Sequence, residues 1–312
     1  MRGTDPRIVV VGAGAVGGWV AARLALAGHS RVMALTSPGP LDRIEVEDAG
    51  VTATATLDRL DGPADVVVIA VKAPSLAQAA EAARPLIGPQ SVIVPMLNGV
   101  PWWFTGEPLR SIDPDRRIER ALPIEQVIGC VVHAACHRPA PGRIVVKHAD
   151  KLIIGERNGG TSERLARLHA LLDAAGLKPE RTDDVRRAIW YKLWGNATIN
   201  PLSALTRATA DKLLADADLR AFMAEAMDEL ARVGEAIGCP IAESSEDRMG
   251  VTARLGAFKP SMLQDVEAGR SVELEALVGA PREIARSKSI ATPALDRIYA
   301  MTRLMSDSLS LR

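Results

Sequence analysis

Aromatic residues are scarce in this chain, at 3% of 312 residues. That leaves too few rings for a platform on which nucleic-acid bases could stack. An excess of charge of one sign is absent as well: 38 basic and 38 acidic side chains give a formal net charge of +0. No field is available to hold a polyanion or an anionic membrane, so neither nucleic acid nor a membrane is expected as a partner. Cysteine is limited to Cys130, Cys136 and Cys239, with no CxxC and no metal-ligand spacing. No metal site is expected, and an odd number of thiols favours free cysteines in a reducing compartment. Long apolar runs are missing too. No segment approaches the roughly 20 apolar residues of a membrane span. The short run Ile8–Val11 breaks into glycines and makes no signal peptide. These absences predict a soluble, cytoplasmic protein.

What is plentiful is aliphatic surface to bury. A chain of this length with 47% hydrophobic residues can build a large core, divided into two domains. Apolar, β-branched runs at 7–11, 31–35, 65–71 and 91–95 read as strands. Helical stretches at 15–27 and 75–84 stand between them. Strands alternating with helices predict an α/β fold with a doubly wound, Rossmann-type parallel sheet. The pattern changes after Arg120. Strand-like runs at 127–135, 143–147 and 151–154 follow one another without a helix, around Pro139-Ala140-Pro141-Gly142. They predict an antiparallel extension of the sheet, followed by a helix at 162–175. From Asp183 onward only helical periodicity remains, at 183–199, 210–237, 245–257, 273–288 and 293–308. The expected division is a dinucleotide-binding domain over 1–182 and an all-α substrate domain over 183–312.

Gly12-Ala13-Gly14-Ala15-Val16-Gly17 lies between the first strand and the first helix. A lone GxGxxG is weak; in this context it gains meaning. Gly12 allows the tight turn, Gly14 lets backbone approach a pyrophosphate, and Gly17 lets helix and sheet pack closely. The helix N-terminus then offers its N–H groups and dipole to the phosphates. The second strand ends in Leu35-Thr36-Ser37-Pro38, with no Asp or Glu for ribose hydroxyls. Thr36 and Ser37 could donate to a 2′-phosphate, with Arg43 as a nearby cation, which favours NADP; or they only satisfy a loop. Lys72 and Asn98-Gly99 follow the third and fourth strands, at the edge where ligands bind in open α/β sheets; or they are an exposed lysine and an ordinary Asn-Gly turn.

Lys192, Asn196 and Asn200 recur every four residues, which in a helix stacks them on nearly one face. Ile189, Trp190, Leu193, Trp194 and Ile199 surround them. An ammonium placed among apolar side chains requires an anionic or polar partner. The stripe reads as the wall of a pocket for a small polar acid, or as a surface lysine whose stem covers the tryptophans.

Taken together, these motifs resemble ketopantoate reductase (2-dehydropantoate 2-reductase). The resemblance runs over nearly the whole chain. It rests on the glycine turn, Val71-Lys72-Ala73, Asn98-Gly99, Trp190-Tyr191-Lys192-Leu193 with Asn196 and Asn200-Pro201, Ser261-Met262-Leu263-Gln264-Asp265, and Glu273. It implies NADPH-dependent reduction of 2-dehydropantoate to (R)-pantoate, on the route to pantothenate and coenzyme A. It implies Lys192 as general acid and Glu273 on the substrate hydroxyl. Asn98, Asn196, Asn200 and Ser261 would surround the substrate, and Lys72 and Asn98 would lie near the nicotinamide. Reaction is expected in a cleft between the two domains, and a homodimer through the helical domain is expected as well.

The chain departs from the family pattern at several positions. Thr36 or Ser37 stands where an arginine is usual, Phe258 where an asparagine is common, and Ala210 near another substrate-side amide. Trp102-Trp103-Phe104 adds bulk after the Asn98 loop, as an apolar wall or as core. A less polar 2-keto acid is therefore an open alternative. An opine- or imine-type reductase is another, and a non-catalytic NADP sensor a third.

Overall fold

The structure is a computed structural model. It describes residues 5–29, 31–37 and 39–311. The chain forms two compact units, one of Met1–Leu97 with Arg116–Ala188 and one of Asn98–Asp115 with Ile189–Arg312. The segment 98–115 lies in the second unit, and the chain passes from the first unit to the second for the last time at 188/189.

The first unit opens with β1 (Ile8–Val11), α1 (Ala15–Leu26) and β2 (Val32–Leu35). β3 (Pro40–Leu41), β4 (Arg43–Asp48), β5 (Val51–Thr56), β6 (Ala64–Ile69), α2 (Leu76–Ala83) and β7 (Ile87–Pro95) follow. The first sheet has the order β3-β2-β1-β6-β7, and all its pairings are parallel except β2 with β3. From β1 the chain builds outward on one side and then returns to build on the other. The switch point therefore lies between β1 and β6, the position that forms a ligand crevice in open α/β sheets.

The unit continues with α3 (Arg117–Ala121), β8 (Ile128–Ala140), β9 (Arg143–Glu156), α4 (Glu163–Ala174) and β10 (Pro179–Arg181). The expected antiparallel strands stand in a second sheet of order β10-β9-β4-β5, with β8 on β9. One parallel bridge, Ile93 to Val127, links them to the strands of the first sheet. The runs 143–147 and 151–154 are one strand, since β9 pairs along its length with β8 and takes β4 and β10 at its two ends. β4 and β5 stand where the periodicity predicts no element. They form a hairpin closed at Ala49-Gly50, both with positive φ (49° and 79°), as a two-residue turn of this type requires.

Helix α1 packs on β1 and β2 and also on β4, β5, β8 and β9. It is buried almost all round, which explains its lack of a polar face. Gly17 faces the first sheet and Gly18 the second; a Cβ on Gly18 would lie 2.7 Å from Ile144 Cδ1. None of the three cysteines forms a disulfide. Burial, and secondarily Asp48, push the Cys136 thiol up to about 12.

The second unit is helical. It holds most of α5 (Val185–Thr206), then α6 (Ala210–Ala215), α7 (Ala217–Ala236), α8 (Ser245–Ala253) and α9 (Ser261–Glu267). A π-helical turn, Glu275–Gly279, leads into α10 (Ala280–Ser287), and α11 (Pro293–Ser308) closes the fold. The run 210–237 is two helices because Asp216 leaves helical geometry and caps α7, accepting from Leu219 N at 2.9 Å. Trp190 and Trp194, one turn apart on α5, donate to Leu230 O (3.1 Å) and Met227 O (2.7 Å) of α7. Trp102, Trp103 and Phe104 are core: all are buried, and the Phe104 ring stacks on Trp190 at 5.9 Å. Glu229, 3% exposed, accepts from Ala294 N (2.8 Å) and Leu295 N (2.9 Å) and so caps α11. Among the described residues no helix is long and apolar enough to cross a membrane.

In the first unit, Glu156 at the end of β9 holds the start of α4 through Arg164 Nε (2.8 Å) and Ser162 Oγ (2.5 Å). The Arg164 hydrogen bonds, helped by Ser162, keep its carboxyl below the ordinary carboxylate range against the opposing effect of burial. A carboxyl lowered by folding stabilises the fold above its unfolded pKa, and that contribution is lost as pH falls through the folded value. Glu156→Gln should therefore lower the melting temperature at pH 7. The gap from the parent should close as pH drops below about 4, as a calorimetric pH series would read.

Candidate active site

The residues singled out from the sequence gather in two clusters, one in each unit. In the first unit, β1 ends at Val11 and the chain turns at Gly12, whose φ of 95° is left-handed. The N–H groups of Gly12 and Ala13 both donate to Leu35 O, at 2.9 and 3.1 Å. A Cβ on Gly12 would overlap the Val71 side chain and lie 2.7 Å from Ala70 O. On Gly17 it would overlap Gly12 O and lie 2.9 Å from Ala70 Cβ. Gly14 is different: a Cβ there would meet nothing nearer than Gly12 O at 4.0 Å. Two glycines are thus demanded by the fold, and the third leaves open space at a helix start.

Gly14 is also the N-cap of α1, with no side-chain cap and no acidic residue in the first turn. The helix begins at Ala15, Val16 and Gly17, so its dipole and first N–H groups face that opening. A phosphate fits these features.

At the end of β2, Thr36 turns inward on its own loop. Its N–H and its Oγ1 both donate to Gly39 O, at 2.9 and 2.7 Å. Of the two hydroxyls, Ser37 is the exposed one; Pro38 lies outside the described residues. Arg43 opens β4 with its side chain exposed. Lys72, also exposed, directly precedes a 3-10 turn, Ala73–Ser75, at the end of β6, and its carbonyl accepts from Ser75 N at 2.9 Å. It stands beside the glycine turn's neighbours Ala70 and Val71, at the switch point.

The second cluster lies wholly in the helical unit. Lys192 Nζ donates to Asn98 Oδ1 at 3.1 Å, and Asn98 Nδ2 donates to Glu273 Oε2 at 3.4 Å. Glu273 is 4% exposed, while Lys192 and Asn98 are half-buried. One turn further along α5, Asn196 is half-buried and its amide has no hydrogen bond to another described residue. A turn beyond that, Asn200, 5% exposed, donates to Ser261 Oγ at 3.4 Å. The structure therefore brings Lys192, Asn98 and Glu273 together, and Asn200 with Ser261, along one helix face. Sequence periodicity placed the α5 residues on that face. It gave no signal that Asn98 belongs with them, since the 98–115 segment has no helical or strand period.

Comparison with known proteins identifies the family. Residues 8–159 match the family described as ketopantoate reductase PanE/ApbA, and residues 184–306 match its C-terminal part. The chain belongs to the ketopantoate reductase family. It is accordingly an oxidoreductase. A 2-dehydropantoate 2-reductase of Mesorhizobium japonicum is 37% identical to this reductase-family chain, over 96% of it and 98% of the relative. A Ralstonia solanacearum structure, named as a candidate ketopantoate reductase, is 41% identical with a TM-score of 0.93, covering 99% and 100% of the two chains. The same fold, at 19% identity and TM-score 0.82 over 98% and 100% of the chains, occurs in D-mandelate dehydrogenase.

The glycine geometry makes a direct prediction. Gly14→Ala should leave the first unit within about 1 kcal/mol of the parent. Gly17→Ala should cost about 1–3 kcal/mol through overpacking. Hydrogen exchange of the α1 amides separates the two; equal protection in both variants would contradict the close packing at Gly17.

Proposed function

We propose that the chain reduces the ketone of 2-dehydropantoate to (R)-pantoate with NADPH, supplying pantoate for pantothenate and coenzyme A. The observation that carries this reading is the Lys192–Asn98–Glu273 chain, an ammonium aimed by a neutral amide that a buried carboxylate holds. A nicotinamide dinucleotide held by the glycine turn Gly12–Gly17 would supply hydride. Charge then grows on the ketone oxygen, where the Lys192 ammonium stabilises it and gives up its proton. Asn98 keeps Nζ directed while the proton leaves. Glu273 accepts a hydrogen bond from the substrate hydroxyl. Asn196, whose amide is open, serves the substrate carboxylate or hydroxyl together with Asn200 and Ser261. The name of the Mesorhizobium relative supports the same substrate.

NADPH is favoured over NADH because no carboxylate stands at residues 36–37 to repel a 2′-phosphate. With the Thr36 hydroxyl donated to Gly39, recognition of that phosphate falls to Ser37 and Arg43. The assembly reading is a homodimer through the helical unit, whose last helix presents Met301 and Leu304, 44% and 65% exposed.

One observation favours a second reading, a less polar 2-keto acid. Ala210 N donates to Phe258 O at 3.0 Å, so the two positions where the resemblance implies amides adjoin each other and both are apolar. A site without hydroxyl-binding groups discriminates weakly against a substrate that lacks the hydroxyl.

The deciding assay follows oxidation of NADPH and of NADH with 2-dehydropantoate and with 3,3-dimethyl-2-oxobutanoate, which lacks only the hydroxyl. Strong preference for 2-dehydropantoate is the expected result, and comparable rates select the second reading. Inactivity on both 2-keto acids removes the proposal. Lys192→Ala should lower kcat by about 100-fold or more, the usual scale of general acid catalysis; parent-like turnover would take Lys192 out of the chemistry. Arg43→Ala should raise KM for NADPH and leave KM for NADH unchanged.

A further inference from the structure

We propose that Gly99, Ala276 and Pro281 are positioning residues: a carbonyl that the π turn leaves without a donor docks the Asn98 loop and so aims the amide that holds Lys192. In an α-helix the carbonyl of residue i accepts from the N–H of residue i+4. That pattern holds at the start of this segment, where Leu277 N donates to Glu273 O at 3.1 Å. The helix then widens, and Ala280 N donates to Glu275 O, five residues back. Ala276 O thereby loses its α-helical donor, Ala280. The donor of the wider register would be residue 281, and Pro281 has no N–H. A carbonyl at a buried residue cannot be left unpaired without a penalty. Val100 N supplies the missing donor at 2.8 Å.

Gly99 makes that approach geometrically allowed. Its φ is 78°, and a Cβ there would overlap the Ala276 carbonyl oxygen and lie 2.8 Å from Ala276 Cβ. Asn98 is the preceding residue. Because its Oδ1 accepts from an ammonium, its Nδ2 must turn to Glu273, three residues before Ala276 on the same segment. The loop and the glutamate are thus held by one piece of chain. From the other side the Glu275 carboxylate folds over Gly279, where a Cβ would overlap it, and accepts from Tyr299 Oη at 2.6 Å. Widened turns of this kind occur frequently at functional sites. Pro281 touches no proposed ligand; it acts by withholding a hydrogen-bond donor.

The inference rests on the proposed reduction only for its kinetic readout. The chain has four asparagines, at 98, 158, 196 and 200. Protein labelled with 15N-asparagine therefore shows few side-chain amide pairs, and Asn98→Ala assigns the one that matters. Pro281→Ala offers Ala276 a donor within its own helix, and Gly99→Ala forces the loop away. Both should shift the Asn98 amide resonances and leave those of Asn158 in place. Turnover on 2-dehydropantoate should fall by about 10-fold or more in Gly99→Ala, on the scale of a misplaced reacting group. Gly99→Ala should add almost nothing to the loss in Asn98→Ala, since the two act as one unit. Unmoved Asn98 resonances in both variants, or losses that multiply, would overturn the proposal. Pro281→Ala keeps the test open if Gly99→Ala does not fold. The resonances are read without any substrate, so an inactive parent enzyme would sink the reduction and still leave the docking decided.

Discussion

A single amide between two opposite charges is the constraint around which the helical unit is arranged. Asn98 offers an acceptor to the Lys192 ammonium and a donor to the Glu273 carboxylate. The neutral amide touches both charges and fixes the polarity of both contacts. Its own orientation leaves no choice, because an NH2 group cannot face an ammonium. Three separate pieces of backbone must then meet: α5 with the lysine, the 98–115 segment with the amide, and the segment before α10 with the glutamate. The two tryptophans of α5 hold that helix on α7, and Phe104 stacks on the first of them. Core packing and site geometry share the same segments of chain.

The first unit solves a different problem, that of exposing backbone N–H groups at a helix start without losing the helix. The helix is gripped from both sides. Gly17 lies against Ala70 and Gly12, and Gly18 lies against Ile144 of the second sheet. A helix so enclosed can leave its N-terminus uncapped, since tertiary packing and not capping holds it in place. The open space over Gly14 is then available at little cost to stability.

Much of this was legible in the residues themselves. The glycine spacing, the buried strand runs and the four-residue recurrence of Lys192, Asn196 and Asn200 are local patterns, and local patterns survive folding. Helix 293–308 appears with the expected bounds. The hairpin of β4 and β5 was not legible, because Arg43–Asp48 is rich in charge and its apolar residues, Ile44 and Val46, are too few to stand out. Asp216 reads as one more polar residue on a helix, and only its extended backbone shows that it starts a new one. The widened turn after Glu273 lies within a run of helical periodicity that carries on through Gly279 and Pro281, so nothing in that periodicity marks the change of register. The place of 98–115 depends on partners about a hundred residues or more away in sequence, such as Lys192 and Ala276, which no window of local pattern contains.

The path of the chain has a consequence for its biogenesis. The polypeptide leaves the first unit at 97/98, returns at 115/116 and leaves again at 188/189. A ribosome therefore finishes Trp102, Trp103 and Phe104 long before it makes the helices that bury them. Until Trp190 emerges, Phe104 lacks the α5 ring on which it stacks, and the three apolar side chains are a ready target for chaperones. A fragment cut from 183 onward would meet the reverse difficulty, with an empty slot beside Trp190 and no amide for Lys192. Severing the protein between its sequence halves would thus leave neither piece whole.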